Sequence, residues 1–169
     1  MAQTTFAGPI KSLAGFINAG VNTTVSLTAD TSLTVAAHAG KILLCNDADG
    51  KFTLPSIVTT APTDPTSPDQ ANNVGASFFF YIETAATDLD ILTDGTDKFK
   101  GAAMVAVDDG SKKAFFPAAS NDVMTLNGST KGGIVGSVVQ VTAIDAATYL
   151  VHNTLLLGSG TIVTPFADA

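Results

Sequence analysis

The residues of this chain that could do chemistry are few and poorly assorted. They are two histidines, His38 and His152, one cysteine, Cys45, one glutamate, Glu83, and a scatter of aspartates. A Ser-His-Asp arrangement needs a histidine set against a nucleophile and oriented by a third group. His38 falls in Ala36-Ala37-His38-Ala39-Gly40, a bend of small residues, and His152 ends a strand-like run beside Asn153. No GxSxG elbow, P-loop or GxGxxG accompanies them, so both histidines read as structural. Hydrolysis of surface glycans would need a pair of carboxylates, and with one glutamate the candidates are aspartates in turns. No catalytic residue and no cofactor are expected.

Metal chemistry has slightly more material. Asn46, Asp47 and Asp49 flank one turn, and Asp88, Asp90, Asp94 and Asp97 surround another. Calcium takes several oxygen ligands from such loops, but neither group has EF-hand spacing with its terminal bidentate Glu. Aspartate in turns ordinarily bonds nearby backbone amides. No metal site is therefore assigned. Cys45 lies in the apolar run Ile42 to Cys45 and reads as a small buried residue, and a single cysteine excludes an intrachain disulfide.

The elements that would position these residues are β-strands. Short runs rich in Val, Ile, Thr, Phe and Tyr recur with turn signals every 8–12 residues, giving ten to twelve strands, as expected of a sandwich or barrel. Asp49-Gly50 is expected to close a hairpin between Ile42–Cys45 and Phe52-Thr53-Leu54. Asp94-Gly95, Asp109-Gly110 and Asn127-Gly128 supply further turns. Ser77 to Glu83, SFFFYIE, demands burial on both faces and should be a central strand, or a strand with one face against another subunit. No window predicts a helix of three turns. The fold class expected is all-β: one sandwich or jelly-roll-like domain over residues 23–169, preceded by an arm over residues 1–22.

At 169 residues the chain fits a single domain with a core of its own. The net charge is -7 and there is no Arg among the eight basic residues, which argues against a nucleic-acid partner. Charged residues make up 14%, against about 25% for an average soluble domain, and such a surface suits a subunit that docks on others. No basic-then-apolar leader and no run of about 18 apolar residues is present, so we expect a soluble protein made in the cytoplasm, without a membrane partner. The arm mixes Gly8, Gly15 and Gly20 with Phe6, Ile10, Leu13, Phe16 and Ile17 and keeps no period, so its apolar residues are expected either against a neighbouring subunit or in an irregular strand packed on the chain's own domain. Residues 59–73 form a long loop in which Pro62, Pro65 and Pro68 recur every third position.

The last third of the chain resembles a known class of protein. Thr125-Leu126-Asn127-Gly128-Ser129-Thr130, Gly132-Gly133, Ile144-Asp145, Tyr149-Leu150-Val151, Leu157-Gly158-Ser159-Gly160 and Thr164-Pro165-Phe166 look like the closing segment of tailed-bacteriophage virion proteins, notably head-decoration (cement) proteins. Ala39 to Leu44, Asn46 to Gly50 and Thr53 to Pro55 echo it, and also resemble strand-turn-strand modules of phage fibre proteins. Ser137 stands where an acidic residue is expected, and Tyr149 where Trp is common. The resemblance implies a homotrimer on the outside of the capsid, bound to the major capsid protein and stabilising the head. A tail-fibre or host-recognition module is the alternative. The contacts expected are Phe6, Ile10 and Phe16 in the arm, and Pro165 and Phe166 in the tail, because a chain end would otherwise leave such anchors exposed.

Overall fold

A computed structural model describes residues 23–60 and 72–169. The arm, with Phe6, Ile10 and Phe16, and the middle of the Pro/Thr loop lie outside the described residues. In chain order the elements are β1 (Thr24–Leu27), β2 (Thr31–Ser32), α1 (Val35–His38), β3 (Ile42–Cys45), β4 (Lys51–Thr53), β5 (Ser77–Ile82) and β6 (Leu89–Leu92). They continue as β7 (Lys98–Gly101), β8 (Ala103–Val107), β9 (Lys112–Phe115), β10 (Val123–Leu126), β11 (Val138–Asp145), β12 (Thr148–Gly158) and β13 (Phe166–Ala167). The fold is all-β, as the run composition predicts, and α1 is a single turn capped by the Thr34 hydroxyl, which accepts from the Ala37 amide at 3.3 Å.

The strands form two sheets. The larger runs β1-β3-β5-β11-β12-β8-β9, with β7 also alongside β12, and the smaller runs β13-β10-β6-β4-β2. Through the first half, successive strands alternate between the sheets. Neighbours within each sheet are therefore parallel: β1 with β3 and β3 with β5 in one, β2 with β4 and β4 with β6 in the other.

This winding corrects the expected hairpin at Asp49-Gly50, because β3 and β4 lie in different sheets. The backbone explains why. The Ala48 carbonyl accepts from Thr87 and Asp88, the Gly50 carbonyl from Asp90, and the Cys45 carbonyl from Glu83 and Thr84. The turn thus bonds to the next winding of the chain rather than across itself. Asn127-Gly128 likewise closes only a local loop, with both amides donating to the Gly132 carbonyl, since β10 pairs with β6 and β13. Asp109-Gly110 does join a hairpin, β8–β9, and Asp145 to Thr148 joins β11 to β12.

Alternation decides what each strand buries. In β5, between β3 and β11 as the aromatic run predicts, Phe78, Phe80 and Ile82 are sealed in the core. Ser77, Phe79 and Tyr81 point to the opposite face and are half-buried. Facing aromatics join the sheets: Phe52 of β4 stacks on Phe80 with ring centroids 6.3 Å apart, and Phe99 of β7 lies 6.4 Å from Phe166 of β13. Each such ring contributes roughly 1.5–3 kcal/mol by leaving water. Tyr149, fully buried, donates its hydroxyl to the Pro55 carbonyl at 2.6 Å, which satisfies its only polar atom. Burial, with the Asp97 and Asp94 charges behind it, pushes its phenol well above the usual range.

Cys45 sits in this core, fully covered, and burial pushes its thiol up to about 12. The thiolate is the reactive form. Labelling of Cys45 by a disulfide reagent at pH 8 is therefore expected to proceed only as fast as the domain opens, and to accelerate sharply across the urea unfolding transition. Rapid labelling of the folded protein would contradict the buried placement.

Candidate interaction surface

His38 and His152 do not meet. The His38 ring nitrogen Nδ1 accepts from the Thr34 amide at 2.9 Å, closing the single helical turn. His152 sits on β12 with Nε2 2.8 Å from the Thr142 hydroxyl. Each histidine bonds to a threonine, and no carboxylate orients either ring among these bonds.

Asp90, Asp94 and Asp97 are occupied by backbone and side-chain donors, whereas Asp47 lies beside Asp49 and its pKa is raised, by burial first and then by that neighbouring carboxylate. Asp94 accepts from the Thr96 and Asp97 amides, both at 2.9 Å; burial opposes its charge, but these bonds and the Ser56 hydroxyl hold the carboxyl below its usual range. Asp97 is buried and accepts from the Ile57 amide at 2.9 Å, yet burial, aided by Asp94 and Asp145, raises its pKa. Asp90 accepts from the Thr125 hydroxyl at 2.7 Å. Asn46 donates to Ser26 and Glu83, at 2.8 and 2.7 Å. Among the described residues no three His, Cys, Asp or Glu side chains converge as a metal site.

The tail is placed against its own domain. Pro165 and Phe166 are buried, and Phe166 pairs with Met124 of β10 while its ring packs on Phe99. Just beyond β13, the Ala169 amide donates to Asp122 at 2.9 Å. Asp122 also binds the Lys98 ammonium at 2.6 Å. Burial disfavours the Asp122 charge, but the ammonium and the amide outweigh it and hold the carboxyl below its usual range. The two tail residues expected to reach a partner are thus covered within the chain, because strand β13 hydrogen-bonds beside β10 and turns its phenylalanine inward.

Among the described residues, exposed apolar side chains that line up in one place lie elsewhere, on the outer face of the larger sheet. Register aligns Ser26, Leu44, Tyr81, Val138, Leu155, Met104 and Ala114 into one row across seven strands. Ile42 and Phe79 stand side by side in the adjacent row. Ile42, Leu155 and Met104 keep 41%, 41% and 42% of their surface exposed, whereas their neighbours on the same strands, Leu43, Leu156 and Val105, are sealed. Exposed large apolar groups scattered singly are ordinary, whereas a row aligned across a sheet is the kind of surface that a partner can cover.

Polar residues complete the face. Gln140 and Thr142 of β11 bond to the Ser77 hydroxyl at 3.1 and 3.0 Å, and Asn153 donates to the Gln140 side-chain carbonyl at 2.9 Å. Asn153 takes φ +47° at a bulge where the β11–β12 register slips by one residue. That slip returns Leu155 to the outer face beside Val138. At the sheet's edge, the alternation that tucks Phe115 toward the core turns the next residue out, and Phe116 is 73% exposed.

Sequence reading singled out none of Leu44, Tyr81, Val138, Leu155 or Met104. Leu155-Leu156-Leu157 reads as an unbroken apolar run, and nothing in it says that the middle residue alone turns inward. Among the described residues no helix is long and apolar enough to cross a membrane. Comparison of the chain with protein-family models, curated proteins and solved structures returns no match.

Proposed function

We propose that this chain is a non-enzymatic decoration (cement) protein of a tailed-bacteriophage head, bound to the major capsid protein on the capsid exterior as a homotrimer. The single observation that carries the reading is the apolar row on the outer face of the larger sheet. In this reading the two sheets pack as a β-sandwich with a rigid core. The mechanism is mechanical: apolar surface buried at several weak contacts, repeated by symmetry, raises the barrier to capsid rupture without any bond being made or broken. The resemblance of the last third of the chain to cement proteins supports the choice of the capsid as partner.

A fibre or host-recognition module is the second reading, favoured by the parallel winding of β1 to β6 between two sheets, an arrangement shared with β-solenoids. Copy number separates the two, since decoration requires hundreds of copies per head and a fibre only a few. Expanded heads lacking the protein, titrated with the purified full chain, are expected to saturate at hundreds of copies and to rupture at a higher temperature. Deleting residues 1–16 is expected to abolish this binding with the β circular-dichroism spectrum unchanged. Heads that take up no full-length protein would sink the capsid reading.

A further inference from the structure

We infer that the outer face of the larger sheet receives the N-terminal arm, residues 1–22, of a neighbouring copy of this chain. The inference deepens the assembly half of the proposed function and rests on the chain being a self-associating subunit; it needs no capsid to be tested.

The dimensions agree. From β1 to β8 the row crosses five strand spacings, about 24 Å at ~4.8 Å each. Phe6 to Ile17 is twelve residues, which reach about 40 Å when extended, so the arm's apolar residues can follow the row with length to spare. Chemistry agrees as well. The row from Leu44 through Tyr81, Val138 and Leu155 to Met104 contains no charge, and the only charged side chain of the arm is Lys11. Docking one on the other therefore buries apolar area with almost no unpaired charge, the condition under which burial gives net association.

The arm starts where a neighbour would stand, and the isotopic labels below separate that contact from docking on the chain's own sheet. β1 is the outermost strand of its sheet in the described order, and the ladder persists to its start, where the Ile42 amide donates to the Thr23 carbonyl at 2.8 Å. The described chain thus begins in the edge strand, at the margin of the sheet where a neighbouring copy packed edge to edge would stand. An arm that leaves one subunit and lands on the same face of the next is a heterologous contact, and such contacts close into a ring when the rotation permits.

The test is a photo-cross-link in solution. Benzoylphenylalanine is placed at Phe16 in the full chain, and protein made with light and heavy nitrogen is mixed, unfolded, refolded together and irradiated. The expected product joins residue 16 of one isotopic label to the peptides carrying Met104 or Leu155 of the other. Introducing Met104→Glu together with Leu155→Glu, at two positions already exposed, is expected to cut that product at least ten-fold and to lower the mass by light scattering to that of one chain. Circular dichroism confirms that this variant is folded. Cross-links confined to one label, or absent from the sheet face, overturn the inference, as does an undiminished yield in the double variant. Head binding by the full chain without these cross-links would overturn the arm exchange and leave the decoration reading standing.

Discussion

Gly101→Ala is expected to destabilise the domain by about 4 kcal/mol, which lowers the melting temperature by roughly 10 °C for a chain of this size. Gly101 joins β7 to β8, two short strands that both pair with β12, and it makes the jog between them at φ +102°. A side chain at positive φ costs about 1–2 kcal/mol. A Cβ here would also stand 2.1 Å from the Val151 carbonyl oxygen, a backbone atom that cannot rotate away, so the cost of overpacking falls at the upper end of about 1–3 kcal/mol. Gly110→Ala is the control. It sits in the β8–β9 turn at φ +86° with nothing within 4 Å of the added carbon, so it meets the conformational strain alone, about 1–2 kcal/mol. Urea unfolding of both variants checks the difference, and equal costs would mean that the close approach to Val151 does not matter.

Lys98→Met is expected to cost about 2–4 kcal/mol at pH 7. The substitution keeps the aliphatic stem and removes the ammonium, leaving the Asp122 carboxylate with only 6% of its side chain exposed and the Ala169 amide as its remaining donor. Breaking a buried pair from one side costs about 3–5 kcal/mol, and the range is lowered here because the Lys98 side chain is 30% exposed and water can reach the vacated position. The pH dependence carries the sign. In the native protein the Asp122 pKa is depressed, so its stabilisation is present above the unfolded value of about 3.9 and disappears as the pH falls through the folded value. Without Lys98, burial dominates and favours the protonated carboxyl, which stabilises the variant as the pH falls. The gap between the two proteins should therefore be widest near neutrality and shrink below about pH 4. A gap independent of pH would assign the loss to packing of the lysine stem rather than to its charge.

Both predictions concern positions that the sequence marks only faintly. Lys98 and Asp122 are 24 residues apart and look like ordinary surface charges until β7 and the start of β10 are brought together. Gly101 reads as one glycine among fifteen. Phe166 and Pro165 show the same limit from the other side. A Thr-Pro-Phe ending looks like an exposed anchor, yet two residues of ladder beside β10 are enough to turn the ring into the core. The outer row was illegible for a related reason, since it is assembled by register across seven strands and a bulge at Asn153, none of which is local.

What the sequence by itself determined is the all-β class, the central place of Ser77–Ile82 and the turn at Asp109-Gly110, because β-branched and aromatic runs, period-2 burial and positive-φ turn residues act within a few residues of chain. Only the tertiary structure decided which sheet each strand joins and which face of Ile42, Leu155 and Met104 stays outside. Turn residues reverse a chain equally well into its own hairpin or into the opposite sheet, and the choice was made by bonds to segments some forty residues away, such as those of Ala48 to Thr87 and Asp88.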